Sequence, residues 1–193
     1  SFVILTTKMK KCAFSIGKEE TAGYNNTIEN IITLIWKYEQ EDRILKVYRQ
    51  EKMNKDLPGI ILLSHGPFAV SLVKTAQMIF GDSENIAAFS LEAGDDIDKY
   101  RGAFTEMIEA FPEGSLIMVD LFGGTPCNQV MRYIQETGKT LEVAAGMNLP
   151  MLINAVMSRE ELIGKEFSMD TVENGKKGIF RIDVEGFLND DDE

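Results

Sequence analysis

GIILLSHGPFA, residues 59–69, is the stretch from which the rest of the fold can be worked out. It begins with a short apolar run, which is typical of a central strand in a parallel sheet because such a strand is buried on both faces. A polar turn follows, and Pro67 then favours the first turn of a helix, where a missing backbone N–H costs nothing. The stretch therefore predicts a strand, a turn and a helix. His65, the only histidine among the 193 residues, lies in the turn.

Strand-like and helix-like segments alternate after residue 57, which is the pattern of a parallel sheet covered by helices. The sequence therefore predicts an α/β fold: a doubly wound, mainly parallel sheet of four strands in the order 2-1-3-4, with helices on both faces. A later segment, GIFRIDVEG (178–186), alternates apolar and charged residues and predicts an extra antiparallel edge strand. The predicted strands are 59–64, 85–91, 115–120 and 140–147, and the predicted helices are 67–80, 95–111, 125–137, one beginning at about 150, and one near 169–176.

Charge is distributed unevenly along the chain, and the change falls near residue 57. Residues 1–56 carry a net charge of +2, whereas the rest of the chain carries −13. We therefore expect an N-terminal extension (1–56) that is helical and has no assigned role, a domain (57–186), and an acidic, disordered tail (187–193). Within the extension, the apolar stripe of TIENIITLIWKYEQEDRILKVYR (27–49) predicts one helix. An acidic domain is a poor partner for nucleic acid.

Several classes of protein are excluded by what the sequence lacks. No run of about 18 apolar residues exists, which a membrane-spanning helix would need. Cys12 and Cys127 lie far apart and give neither a disulfide framework nor a zinc site, which suits a reducing compartment. No Walker loop and no GxGxxG fingerprint is present, so a nucleotide is not indicated. We therefore expect a cytoplasmic protein that uses no metal and no cofactor.

Three predicted strands end in the same way, as IILLS-HG-P, LIMVD-LFGGT-P and EVAAG-MNL-P. In a parallel sheet these turns lie on one edge, where helix N-termini bring free N–H groups and positive dipole ends together. Gly66, Gly123 and Gly124 let the backbone approach a ligand closely. Thr125 is a natural N-cap for the helix that follows. Such an edge suits an anion, and phosphate is the usual one.

With the first strand central, the crevice at this edge lies between His65 and Asp120. A carboxylate that accepts one imidazole N–H fixes the ring tautomer and leaves the other nitrogen as a nucleophile. A neutral histidine facing N–H donors is what accepting a phosphoryl group requires. The plainer interpretation is that His65 is an ordinary core or surface residue and Asp120 caps a turn. The placement of all these features on one edge favours a functional site.

Together, these motifs resemble the mannose-type IIA component of the bacterial phosphoenolpyruvate-dependent sugar phosphotransferase system. The resemblance rests on SHG (64–66), VDLFGGTPCN (119–128) and AGMNLPML (145–152), in that order and spacing. It implies a phosphotransferase that accepts a phosphoryl group from the carrier HPr on a histidine. The group would pass to a separate IIB component for sugar uptake, and the membrane permease would be reached only indirectly. The resemblance also implies a homodimer, in which GIFRIDV (178–184) is a candidate strand for exchange between subunits.

The resemblance further implies a role for each matching residue. His65 would be the phosphorylated residue, and Asp120 would orient its ring and balance its charge. The other matching residues would bind the phosphoryl group or shape its surroundings: Gly66, Phe122, Gly123, Gly124, Thr125 and Asn148.

Three alternatives to this function remain open at the level of sequence. The phosphotransfer subunit of a dihydroxyacetone kinase system also uses a serine-histidine turn, but its third-strand loop generally lacks the GGTP pattern found here. A regulatory IIA-like module, read by another protein in its phosphorylated state, is compatible with the N-terminal extension. A hydrolase acting through phosphohistidine needs a second basic group, and the single histidine argues against it.

Overall fold

The computed structural model describes residues 46–49 and 53–184, all within one compact unit of the chain, Leu45–Glu193. No helix in these two ranges combines the length and the apolar composition that crossing a bilayer requires. The strands are β1 (Lys46–Arg49), β2 (Ile60–His65), β3 (Ile86–Leu91), β4 (Leu116–Val119) and β5 (Glu142–Ala145). The helices are α1 (Phe68–Phe80), α2 (Ile97–Ala110), α3 (Thr125–Thr137), α4 (Leu149–Ser158) and α5 (Gly164–Lys177).

The strands form one mixed sheet in the order β1-β3-β2-β4-β5. Strand β2 pairs in parallel with both β3 and β4, and β4 pairs in parallel with β5. The predicted α/β fold and the predicted order of the four parallel strands, with the first one central, are therefore confirmed. Leu63 on β2 lies opposite Val119 on β4, so the residues that follow these two positions meet at the carboxyl edge of the sheet.

The apolar character of β2 follows from burial on both faces. Ile60 and Leu62 belong to the core on the side of α1, α4 and α5, whereas Ile61 and Leu63 belong to the core on the side of α2 and α3. Each of the four residues is at most 1% exposed. Burying side chains of this size stabilises the fold by about 1.5–3 kcal/mol each. The two cores make the central strand a firm support for the turn that follows it.

The predicted helix over 27–49 is wrong at its end, where residues 46–49 form strand β1. Residues 46–49 pair antiparallel with β3, with Val47 opposite Phe89, and the remainder of the predicted helix lies outside the described residues. Tyr48 packs against the core, and its hydroxyl accepts a hydrogen bond of 2.8 Å from Gln77. The exposed edge of β3 offers backbone hydrogen bonds that override the helical pattern. The division of the chain near residue 57 stays a prediction, although 46–49 join the sheet.

Residues 178–184 also differ from prediction, because they form no strand and pair with no strand of the described chain. The antiparallel edge position is filled by β1 instead. The apolar side chains of this segment are exposed, namely Ile179, Phe180, Ile182 and Val184, at 58–73%. The rest of the predicted strand and the acidic tail lie outside the described residues.

Arg159, which directly follows α4, fixes the amino ends of two neighbouring strands. It is 2% exposed, and its guanidinium donates to the carbonyl oxygens of Pro58 (3.2 Å), Asn85 (3.3 Å) and Glu84 (2.5 Å) and to the hydroxyl of Ser83 (2.6 Å). Burial lowers the pKa of Arg159 to about 10, which leaves it protonated at neutral pH. Pro58 leads into β2 and Asn85 into β3, so one side chain ties both strand starts together.

Candidate functional site

His65 and Asp120 lie side by side at the carboxyl edge of the sheet. His65 is the last residue of β2, and Asp120 directly follows β4. The Asp120 N–H donates to the Leu63 carbonyl at 3.2 Å, which extends the parallel pairing by one residue. The structure therefore brings together the two residues that the strand ends indicated.

The Asp120 carboxylate accepts hydrogen bonds from three groups. Its Oδ2 accepts the backbone N–H of His65 at 2.7 Å and lies 2.9 Å from Nδ1 of the same residue. Its Oδ1 accepts the N–H of Leu121 at 2.7 Å. Hydrogen bonds to an ionised carboxylate are short and strong. One carboxylate thus holds the backbone and the ring of His65 as well as the start of the loop after β4.

The remaining ring nitrogen of His65 is available for chemistry. Because Nδ1 faces the carboxylate, it carries the ring proton, and Nε2 keeps its lone pair. The ring lies against Gly124: a Cβ at this position would stand 2.7 Å from Cε1 and 3.5 Å from Nε2. The His65 side chain is 46% exposed, whereas that of Asp120 is 15% exposed. The His65 ring is therefore about half exposed, and the carboxylate beside it is sheltered.

The N-terminus of α3 lies beside the ring. Gly124 is the N-cap in an extended conformation and Thr125 is already helical, so the prediction of Thr125 as the N-cap is wrong by one residue. The Gly124 N–H donates to the Leu121 carbonyl at 3.2 Å, and the Asn128 side chain donates to the Gly123 carbonyl at 2.9 Å. These bonds fix the loop. The first N–H groups of a helix have no partner within it, and they carry the positive end of its dipole.

Gly66 and Asn148 follow β2 and β5 at the same edge. Gly66 has a positive φ of 55°, which favours glycine, and its N–H donates to the Leu91 carbonyl at 2.8 Å. Asn148 caps α4, because its Oδ1 accepts the Met151 N–H at 3.0 Å, while its amide donates to the Gly146 carbonyl at 3.4 Å. The Gly66 bond extends the pairing of β2 with β3, whereas the two Asn148 bonds are local ones that shape the turn after β5. A role for either residue toward a phosphoryl group stays a prediction.

Ser64 has a role in the site that the sequence did not reveal. It is fully buried, and its Oγ accepts the Ala69 N–H at 2.7 Å and donates to the Gly66 carbonyl at 3.3 Å. The N-cap of α1 is Pro67, which offers no side-chain acceptor. Ser64 therefore caps the helix from within the strand and fixes the turn. The sequence did contain a signal for this role, because a serine lies three residues before Pro67, where the helix begins.

Large apolar side chains are exposed next to the site. Phe122 is 83% exposed and Leu121 is 61% exposed in the loop after β4, and Phe68, the first residue of α1, is 41% exposed. Exposed apolar groups that occur together mark contact surfaces more often than isolated ones do. The turns that carry His65 and Asp120 are thus flanked by surface suited to a protein partner.

A cleft of about 610 Å³ opens elsewhere, at the amino edge of the sheet. It is lined in part by Ile61, Glu109 and Lys139, of which the last two form an ion pair, and it includes neither His65 nor Asp120. In the part of the chain that the structure describes, no group of three or more histidine, cysteine or acidic side chains is arranged to hold a metal ion. The cleft is therefore separate from the His65 edge.

Comparisons with known proteins agree on one family. A family model described as the fructose IIA component of the phosphotransferase system, EIIA-man, matches residues 59–172. The fructose-specific EIIA component of Bacillus subtilis is 34% identical over 110 residues, covering 56% of this chain and 75% of that protein. The mannose-specific EIIAB component of Escherichia coli K12 is 32% identical over 126 residues, covering 63% of this chain but 38% of that protein.

Solved structures show the same likeness. An EIIA phosphotransferase-system component from Streptococcus agalactiae superimposes with a TM-score of 0.60 at 29% identity, covering 65% of this chain and 97% of that one. A mannose/sorbose-specific IIA subunit from Enterococcus faecalis superimposes with a TM-score of 0.57 at 31% identity, covering 66% and 96%. Nearly the whole of each solved chain is therefore matched by part of this one.

Proposed function

This chain belongs to the EIIA-man family of phosphotransferase-system IIA components, and from that premise we propose that His65 carries the phosphoryl group. As a family member it is a phosphotransfer component of the sugar phosphotransferase system. The observation that supports His65 is the 2.9 Å contact between its Nδ1 and Asp120, which leaves Nε2 with its lone pair on a side chain that is 46% exposed. In the proposed exchange, HPr donates the group in the cytoplasm and a separate IIB component accepts it.

The transfer needs no acid or base other than the His65–Asp120 pair. The Nε2 lone pair attacks the phosphorus atom of phosphohistidine on HPr, and a new N–P bond forms. The old N–P bond breaks, and its electron pair returns to the nitrogen of the donor. The His65 ring, still protonated on Nδ1, becomes positively charged, and the adjacent Asp120 carboxylate stabilises that charge. Passage to IIB repeats these steps in the opposite direction.

The phosphoryl oxygens find donors at the N-terminus of α3. The ring lies against Gly124, so a group on Nε2 is carried close to the first N–H groups of the helix. The Thr125 N–H and hydroxyl are the proposed donors, and Gly66, Gly123 and Gly124 keep the backbone clear of side chains. Phe122 forms the rim against which HPr or IIB docks, and Asn148 completes the wall by holding the turn after β5.

Incubation with phosphoenolpyruvate, enzyme I and HPr tests the proposal. We expect one acid-labile phosphate adduct by intact mass, located on His65 by peptide mapping, and its loss when purified IIB of a mannose-type system is added. Acid lability distinguishes phosphohistidine from the stable esters of serine and threonine. A folded chain that acquires no adduct beside active HPr would contradict the proposal and favour a regulatory module.

Replacement of Asp120 by asparagine is expected to slow phosphoryl acceptance by about tenfold to a hundredfold, the size of a lost hydrogen bond to a charged group. The amide has one acceptor oxygen in place of a carboxylate, and it carries no charge to balance the ring. Rapid-quench measurement of phosphorylated protein against time gives the rate. The matched control is Asp98→Asn, on the exposed first turn of α2, which should accept phosphate at the normal rate. An unchanged rate in Asp120→Asn would remove this carboxylate from the mechanism.

A homodimer is proposed from the exposed segment 178–184. Its apolar residues Ile179, Phe180, Ile182 and Val184 are exposed, and in the described chain β5 pairs on one side only, with β4. An unpaired edge strand and an unpaired apolar segment complement each other when two copies exchange them. We propose that the segment of one copy pairs with β5 of the other.

The double variant Phe180→Asp and Ile182→Asp is expected to be monomeric, because two charges would have to be buried against the partner. Size-exclusion chromatography with light scattering measures the mass. Met78→Asp serves as the control, since Met78 is 87% exposed at the end of α1 and far from this segment in sequence. A wild-type monomer at micromolar concentration, or an unchanged dimer in the double variant, would count against the exchange.

A further inference from the structure

Tyr100 has a buried hydroxyl that makes no hydrogen bond to any described residue. The side chain is 0% exposed, and its ring packs edge-on against Phe104 with the centroids 5.5 Å apart. A buried hydroxyl without an acceptor costs stability, whereas phenylalanine would fill the same space without that cost. We therefore ask why a tyrosine, and not a phenylalanine, occupies this position.

Tyr100 lies at the same edge of the sheet as His65 and Asp120. Residue 100 lies in the first turn of α2, and this helix begins near the carboxyl end of β3, the edge at which Leu91 pairs with His65. Its side chain belongs to the same buried cluster as Leu63 and Val119. Leu63 comes two residues before His65, and Val119 directly precedes Asp120. Tyr100 thus belongs to the same core as the ends of the two strands that carry His65 and Asp120.

Asp120 has room for one more donor. A carboxylate offers about four acceptor positions, and three groups occupy them here, two on Oδ2 and one on Oδ1. Burial raises the pKa of Tyr100 above its ordinary value, and the negative charge of Asp120 raises it further. The structure shows no hydrogen bond between the two groups, so the hydroxyl is a donor still without an acceptor among the described residues.

We propose that Tyr100 is a positioning residue for phosphoryl transfer, whose hydroxyl donates a hydrogen bond to the Asp120 carboxylate in the working state of the site. A fourth donor holds the carboxylate in place while the His65 ring gains and loses its positive charge. The inference rests on the proposed function of His65. It adds a residue on α2 to a site otherwise built from the turns after β2, β4 and β5.

Tyr100→Phe is the variant that tests the proposal, because it removes one oxygen atom and keeps the ring. His65 is the only histidine, so protein labelled with ¹⁵N-histidine gives a single pair of ring-nitrogen resonances that report its tautomer. We expect this pair to move in Tyr100→Phe, in the absence of any phosphate, and phosphoryl acceptance from HPr to slow about three- to tenfold. In an Asp120→Asn background, tyrosine and phenylalanine at position 100 should give the same rate.

Tyr133→Phe is the matched control. Tyr133 is also buried, at 6% exposed, but its hydroxyl donates to Glu109 at the other end of the domain. This variant should leave the His65 resonances and the rate unchanged. The ¹⁵N measurement needs no phosphate, so it tests the Tyr100–Asp120 contact even if wild-type protein accepts none and the proposed function fails.

Two results would overturn the inference. In one, Tyr100→Phe has unchanged resonances and an unchanged rate and is more stable than wild type, which would make the hydroxyl an unpaired group with no role in transfer. In the other, the rate falls by the same factor with or without the Asp120 carboxylate, which would make the effect purely structural.

Discussion

His65→Gln is expected to acquire no acid-labile phosphate from phosphoenolpyruvate, enzyme I and HPr. The glutamine amide approximates the reach of the imidazole and can still hydrogen-bond to Asp120, but its nitrogen has no available lone pair to attack phosphorus. The loss should therefore be complete rather than partial. Intact-mass measurement over hours, with excess HPr, is the appropriate assay because it detects even slow acceptance.

The fold should survive this substitution. The His65 side chain is 46% exposed and belongs to neither core, so its removal leaves no cavity. Matching thermal unfolding of wild type, His65→Gln and His65→Ala provides the control. Phosphate on a folded His65→Gln variant would place the acceptor on another residue and refute the assignment.

Arg159→Met is expected to lower the free energy of unfolding by about 3 kcal/mol or more. Methionine fills much of the volume of the arginine side chain. It leaves the carbonyls of Pro58, Glu84 and Asn85 without the guanidinium that donates hydrogen bonds to them. Buried acceptors that lose a charged donor account for the size of the effect. Urea unfolding followed by circular dichroism measures it.

Arg132→Met is the comparison for Arg159→Met. Arg132 is 62% exposed and pairs with Glu136 one helical turn away on α3, and such surface pairs contribute little to stability. Equal small losses in both variants would show that the Arg159 contacts contribute no more than an exposed ion pair. If Arg159→Met fails to fold, Arg159→Lys, which keeps the charge without the planar fork, should show an intermediate loss.

The parts of the fold that follow from local pattern could be predicted from the sequence. Apolar runs located the four parallel strands, and the shared direction of those strands placed His65 and Asp120 on one edge. The edge strand β1 could not be found in this way, because LKVYR continues a helical stripe and becomes a strand only where β3 offers an unpaired edge. Helix α5 begins at Gly164, earlier than predicted, since its first turn carries little apolar signal.

The residues that sequence reasoning missed act across long distances in the chain. Arg159 contacts carbonyls 74 to 101 residues away, and Tyr100 lies behind strands that come from two other parts of the sequence. No periodicity or motif spacing encodes such pairings. Ser64 was within a recognised motif, but its capping role depends on the geometry of the turn between β2 and α1.

The double contact of Asp120 Oδ2 with the backbone N–H and the ring of His65 links reactivity to strand register. Both bonds exist only when β2 and β4 pair with Leu63 opposite Val119. A slip of one residue would turn the aspartate to the other face of the sheet. If His65 accepts phosphate as proposed, the initial rate of its phosphorylation would therefore also report how much of a preparation has the native register.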